Sequence, residues 1–158
     1  GSLTTDPDAL MSRAWVAFET QIGDDDNELF ERPVLRVQTG RKERGRVFAR
    51  CKVNGTPVGG ALRALRSVRF VTVQEQRIPL PFVVQTQDGL SKPPGPRFDA
   101  ERHAGPWVCA VSVDGAPRYE VRFTLDAEGR PTLDAAALEA QGPLRPGWFP
   151  AALRRASP

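Results

Sequence analysis

The commonest pattern along this chain is a short alternation of apolar and polar positions, the period of a half-buried strand. Over residues 46–53, Val47, Ala49, Cys51 and Val53 alternate with Phe48, Arg50 and Lys52, and Asn54-Gly55 follows at once. That dipeptide is the strongest short-range signal for a tight hairpin turn. Residues 107–113 alternate Trp107, Cys109, Val111 and Val113 against Val108, Ala110 and Ser112. Residues 118–125 set Tyr119, Val121, Phe123 and Leu125 against Arg118, Glu120, Arg122 and Thr124. Asp114-Gly115 lies between these two runs, which therefore read as an antiparallel hairpin.

Further strands are expected over 34–38, 67–74 and 82–86, with Pro79 and Pro81 marking the last as an edge or bulge. Residues 40–45 read as a charged turn. Residues 14–22 fit two periods. As a strand they put Val16, Phe18, Thr20 and Ile22 on one face; as a helix they continue a stripe of Leu10, Met11, Ala14, Trp15, Phe18 and Ile22. Asp6-Pro7 suits a helix start, but β-branched and aromatic residues dominate after Ala14, so a helical turn over 7–12 followed by a strand is expected. One further helix is expected over 132–140, capped by Thr132 or Asp134 and stopped by Gly142. The sequence divides into an N-terminal segment (1–13), a β-domain with a late helix (14–141) and a proline-rich tail (142–158) that ties down rather than folds. About seven short strands with one late helix mean an all-β, mostly antiparallel sandwich or barrel.

Composition supports this class. The 158 residues include 15 prolines and 14 glycines, which suit many turns and argue against a helix bundle. No apolar run approaches the ~18–20 residues of a membrane-spanning helix. Gly1-Ser2 reads as a cleavage remnant, so the natural chain is expected to begin earlier. The net charge of +3 conceals a division: residues 1–33 carry eight acids and two bases, whereas residues 34–77 carry eleven bases and two acids. Either the two segments face each other in the fold, or the basic one presents a positive surface to an anionic partner.

Little catalytic chemistry is visible. Two cysteines and one histidine cannot supply the roughly four ligands of a structural zinc or iron–sulfur site, and no metal or cofactor is expected. Asp24-Asp25-Asp26-Asn27-Glu28 lacks the glycine of an EF-hand loop and reads as a solvated acidic turn. His103 is the only imidazole that could activate a cysteine, yet Cys51 and Cys109 both fall on apolar strand faces. No phosphate-binding loop or nucleophile elbow is present, and an enzyme is not expected.

The features that suggest binding are three. Arg41, Lys42, Arg44 and Arg46 form a basic hairpin tip. Pro94, Pro96, Arg97 and Phe98 lie in a proline-rich loop over 88–106, a length that in a compact domain marks function or disorder. Trp148 and Phe149 are adjacent large aromatics in the tail, which either pack over a sheet edge or dock a partner.

Cys51 and Cys109 stand 58 residues apart, each central to an alternating strand. In two facing sheets such residues can meet as a disulfide across a sandwich, or remain two buried thiols. Val47-Phe48-Ala49-Arg50-Cys51-Lys52-Val53 resembles the B strand of an immunoglobulin-like domain, and Gly105-Pro106-Trp107-Val108-Cys109-Ala110-Val111 resembles its F strand. Trp107 stands where that fold usually has tyrosine, and no tryptophan lies between the two cysteines. The resemblance covers about residues 34–125 and implies an immunoglobulin-like β-sandwich that binds or scaffolds another protein. The expected function is thus a non-catalytic protein-binding domain of an extracytoplasmic assembly, periplasmic or secreted, anchored or free. The alternative is a module that binds nucleic acid or an anionic glycan through residues 34–77, with strongly salt-dependent affinity.

Overall fold

The alternating segments form two antiparallel sheets in the computed structural model, which describes residues 11–23, 29–39, 45–58, 68–70, 75–86, 93–113, 115–141 and 146–156. The chain runs β1 (Met11–Ile22), β2 (Leu29–Thr39), β3 (Gly45–Val53), β4 (Thr56–Pro57), β5 (Val68–Phe70), β6 (Glu75–Pro79), β7 (Gln85–Thr86), α1 (Ala100–His103), β8 (Gly105–Val113), β9 (Ala116–Leu125), α2 (Ala135–Gln141), β10 (Trp148–Pro150) and β11 (Ala152–Arg155). The first sheet has the order β10-β1-β2-β6, with β7 also on β2; the second has β11-β9-β8-β3-β4, with β5 also on β3. The architecture is an all-β sandwich with two short helices.

Side-chain alternation fills the space between the sheets. Ala14, Val16, Leu35, Val37 and Ile78 come from the first sheet, and Ala49, Val53, Trp107, Val111, Val121 and Leu125 from the second, all in one buried cluster. Trp107 is fully buried, stacks on Phe123 of the neighbouring strand at 5.5 Å, and donates its indole N–H to the His103 carbonyl at 2.8 Å. A buried indole with its N–H satisfied contributes large apolar area at no polar cost.

The turns follow their residue types. Asn54 and Gly55 both adopt positive φ, 50° and 81°, as a two-residue hairpin turn requires. Asp134 is the helix cap, its carboxylate accepting from the Ala137 N–H at 3.0 Å, and α2 begins at Ala135.

Three expectations change. The strand expected from Ala14 already includes Met11 and Ser12, where pairing of Met11 with Thr39 of β2 overrides the helical pattern; the rest of the expected turn, residues 7–10, lies outside the described residues. The tail forms β10 on β1 and then β11 on β9, crossing from one sheet to the other at the fully buried Ala151. Finally, Cys51 and Cys109 are disulfide-bonded, with a Cα–Cα distance of 4.0 Å, but within one sheet. They are direct register partners on β3 and β8, so the bond does not pin two sheets together as an immunoglobulin-like pattern implies. Alternation tells which face a side chain takes, not which sheet its strand joins.

Candidate functional site

Residues 93–104 build one wall of a cleft of about 850 Å³. They lie in the segment expected as a long proline-rich loop, and the backbone is well tied. Val83 donates to the Pro96 carbonyl at 2.8 Å, and Phe98 donates to the Val83 carbonyl at 2.7 Å, a short parallel bridge. Arg32, on β2, donates Nη2 to the Pro94 carbonyl (2.8 Å), Nη1 to the Leu80 carbonyl (3.0 Å) and Nε to Gln21 Oε1 (3.1 Å). A planar guanidinium with its donors fixed in this way clamps three chain segments together. A Cβ at Gly95 would sit 2.7 Å from Arg32 Nη2, so glycine is what lets the strap approach the clamp.

At its end the strap turns into α1. Asp99 caps the helix, accepting from the Glu101 N–H at 3.0 Å, while the Asp99 N–H donates to His103 Nδ1 at 2.9 Å. His103 is buried, stacked on Phe82 at 4.7 Å and tilted against Phe98 at 5.7 Å. Burial lowers its pKa below the usual 6.5, as does Arg102, against the opposing pull of Asp99. The imidazole is therefore neutral near pH 7 and serves as an acceptor that closes the helical turn.

The opposite wall is the β3–β4 hairpin. The Asn54 side-chain amide donates to the Ala104 carbonyl at 3.1 Å, and the Asn54 N–H donates to the Pro106 carbonyl at 3.1 Å. The apolar lining comes from Val53, Pro57, Val58, Pro81, Pro94 and Pro96. Arg97 and Arg102 lie beside Asp99 and Glu101 on the strap wall, and Arg32, held by backbone carbonyls, adds a third positive charge to the lining.

The structure brings Pro94, Pro96 and Arg97 together on this cleft. Phe98 packs inward at 5.5 Å from Phe82 and supports the wall from behind. Trp148 and Phe149 take opposite faces of β10: Trp148 lies 5.4 Å from Trp15 with Arg36 5.2 Å above its ring, whereas Phe149 pairs with Val16. Arg41, Lys42 and Arg44, and the acidic residues 24–28, lie outside the described residues, and of Arg46 only the backbone, in β3, is described.

Of the two charged segments, Glu19 from the acidic one faces Arg36 and Arg77 from the basic one. Its carboxylate accepts from Arg36 Nη2 (2.6 Å) and from Nε and Nη2 of Arg77 (2.9 and 2.6 Å). The hydrogen bond from Arg77 is the main cause of a lowered Glu19 pKa, outweighing burial. Sequence reasoning missed Arg32 and Asn54, whose roles depend on backbone carbonyls distant in the chain.

Both sulfurs are consumed in the disulfide, so no thiol is available to His103. Among the described residues no three His, Cys, Asp or Glu side chains converge as a metal site needs, and no helix is long and apolar enough to cross a membrane. No known protein family, curated protein sequence or solved structure matches the chain.

Proposed function

We propose that this chain is a non-catalytic recognition module of a non-reducing, extracytoplasmic compartment, which holds a segment of a partner protein in the cleft between the 93–104 strap and the β3–β4 hairpin. The observation that carries the reading is the cleft's construction. Its walls set prolines and valines among polar side chains on backbone already fixed by Arg32 and Asn54, so binding loses little further conformational freedom. The lining mixes prolines and valines with charges of both signs, which suits an extended polypeptide segment carrying apolar and polar groups together. The Cys51–Cys109 bond supports the compartment, since disulfides persist where thiols are not kept reduced. The recognition role is also what the immunoglobulin-like resemblance implies, but the cleft carries it, because the disulfide does not follow that family's inter-sheet pattern.

A photo-crosslinking side chain at Arg97, on the cleft, and another at Thr124, exposed on β9, test the reading in cells of the source organism. A discrete adduct to one protein from Arg97, absent from Thr124, is expected. Identical adduct patterns from both positions would remove the cleft as the contact surface. Trapping of thiols in the same cells is expected to recover Cys51 and Cys109 oxidised; a dithiol would remove the compartment.

A further inference from the structure

We infer a second site on the outer face of the first sheet, one that takes an oxyanionic group such as a carboxylate, phosphate or sulfate. Along β1, Ala14 and Val16 enter the core, so Arg13, Trp15, Ala17 and Glu19 face outward. Trp15 is the register partner of Arg36 on β2, and Arg36 is the register partner of Arg77 on β6. A row of Trp15, Arg36 and Arg77 therefore crosses three strands, with Arg13 one step further along β1.

Buried N–H groups of this cluster lack an acceptor, the Trp15 indole and Arg13 Nε among them. Trp15 is only 7% exposed, and its indole Nε1 is buried without a hydrogen-bond partner. Arg13 Nε is buried in the same condition, and Arg13 forms no ion pair among the described residues. Native proteins rarely leave buried donors unmet, and such a group calls for an unrecorded ion, water or ligand. The two residues are two positions apart on one strand, roughly 7 Å at the backbone, within reach of a single group at the tips of these long side chains.

Charge points to the sign of that group. Arg36 and Arg77 share the Glu19 carboxylate, whereas Arg13 forms no ion pair among the described residues. Arg13 thus brings a positive charge that no described carboxylate offsets, and an oxyanion accepts hydrogen bonds from both donors while offsetting that charge. Trp148, half-buried on the three-residue strand β10, leans on Trp15 and forms one side of the site. This site is separate from the cleft and does not rest on the recognition reading.

The indole N–H signals of the three tryptophans test it directly in the ¹⁵N-labelled protein. Trp107 is an internal reference, because its N–H is already bonded to the His103 carbonyl. Titration with inorganic phosphate, sulfate or acetate, each against chloride at matched ionic strength, is expected to move the Trp15 signal saturably and leave Trp107 in place. Acetate acting as well as phosphate assigns the site to carboxylates; phosphate and sulfate alone assign it to tetrahedral oxyanions. Arg13→Gln is expected to weaken binding by at least about tenfold, the size of one charge-assisted hydrogen bond. Arg50→Gln, which removes an exposed charge from β3 in the other sheet, is expected to bind as the parent does. A Trp15 signal that ignores oxyanions, follows chloride equally, or weakens alike in both variants would overturn the inference. So would a Trp15 signal held upfield by the Trp148 ring in every salt, because the donor would then be satisfied by that ring.

Discussion

The Gln141 side-chain amide donates to the Ala151 carbonyl at 2.8 Å, at the point where the chain leaves one sheet for the other. Its oxygen accepts from the Ala14 N–H at 2.9 Å, and the Ala151 N–H donates to the Ala14 carbonyl at 3.0 Å. β10 ends at Pro150, so beyond it the edge of β1 would be left with an unmet donor. One buried amide, borrowed from the end of α2, stands in for the missing strand. Gln141→Leu keeps the volume and removes both bonds, leaving an N–H and a carbonyl buried without partners. A loss of about 2–4 kcal/mol is expected from urea denaturation, with an unchanged slope. A loss within about 0.5 kcal/mol would mean that water reaches the junction.

The disulfide gives a second expectation. Replacing Cys51 and Cys109 together by serine releases a loop closed over 58 residues, which in the chain-entropy account costs about 4 kcal/mol. Because both positions are also held in register by β3 and β8, the double-serine variant is expected to keep the same sheet at lower stability. Thermal unfolding followed by circular dichroism checks this: a lower midpoint with an unchanged folded spectrum is expected.

These two junctions also mark what the sequence could and could not reveal. The β3, β8 and β9 strands, the Asn54-Gly55 and Gly115 turns and the Asp134 cap were legible, because each depends on neighbours within a few positions. The partners of those strands were not. Cys51 and Cys109 looked like an inter-sheet pair, since alternation fixes a face and says nothing about adjacency. The tail was equally opaque: three residues of β10 and four of β11 are too short to carry a period, and what holds them is Gln141, ten residues before Ala151. In the cleft, the prolines and Arg97 could be singled out from composition. Arg32 could not, because its partners are backbone carbonyls up to 62 residues away.

Gly105 has a φ of 119°, and a Cβ there would meet the Asn54 amide at 2.7 Å. Alanine at this position must therefore strain the backbone and push the β3–β4 hairpin off the α1–β8 junction. Gly105→Ala is expected to destabilise by about 1–3 kcal/mol and to loosen the cleft wall. Faster amide exchange at Asn54 and Thr56, with β3 itself unchanged, would report that local effect.

Acid should weaken the strap through His103. Its pKa in the folded protein lies below the 6.5 of a free imidazole, chiefly through burial, so between those two values the unfolded chain binds more protons. Stability is thus fully present above about pH 6.5 and declines as pH falls toward the folded value, by at most about 1.4 kcal/mol per pH unit. Protonation also removes the acceptor at Nδ1 that receives the Asp99 N–H, opening the turn that carries the cleft wall. Glu19, whose own pKa is lowered from 4.5, contributes only at more acidic pH. His103→Gln retains an acceptor near Asp99 and does not titrate, so its denaturation midpoint is expected to stay flat between pH 7 and the onset of carboxylate titration. If parent and variant lose stability in parallel over that interval, the acid sensitivity belongs to another group and the strap is indifferent to protonation.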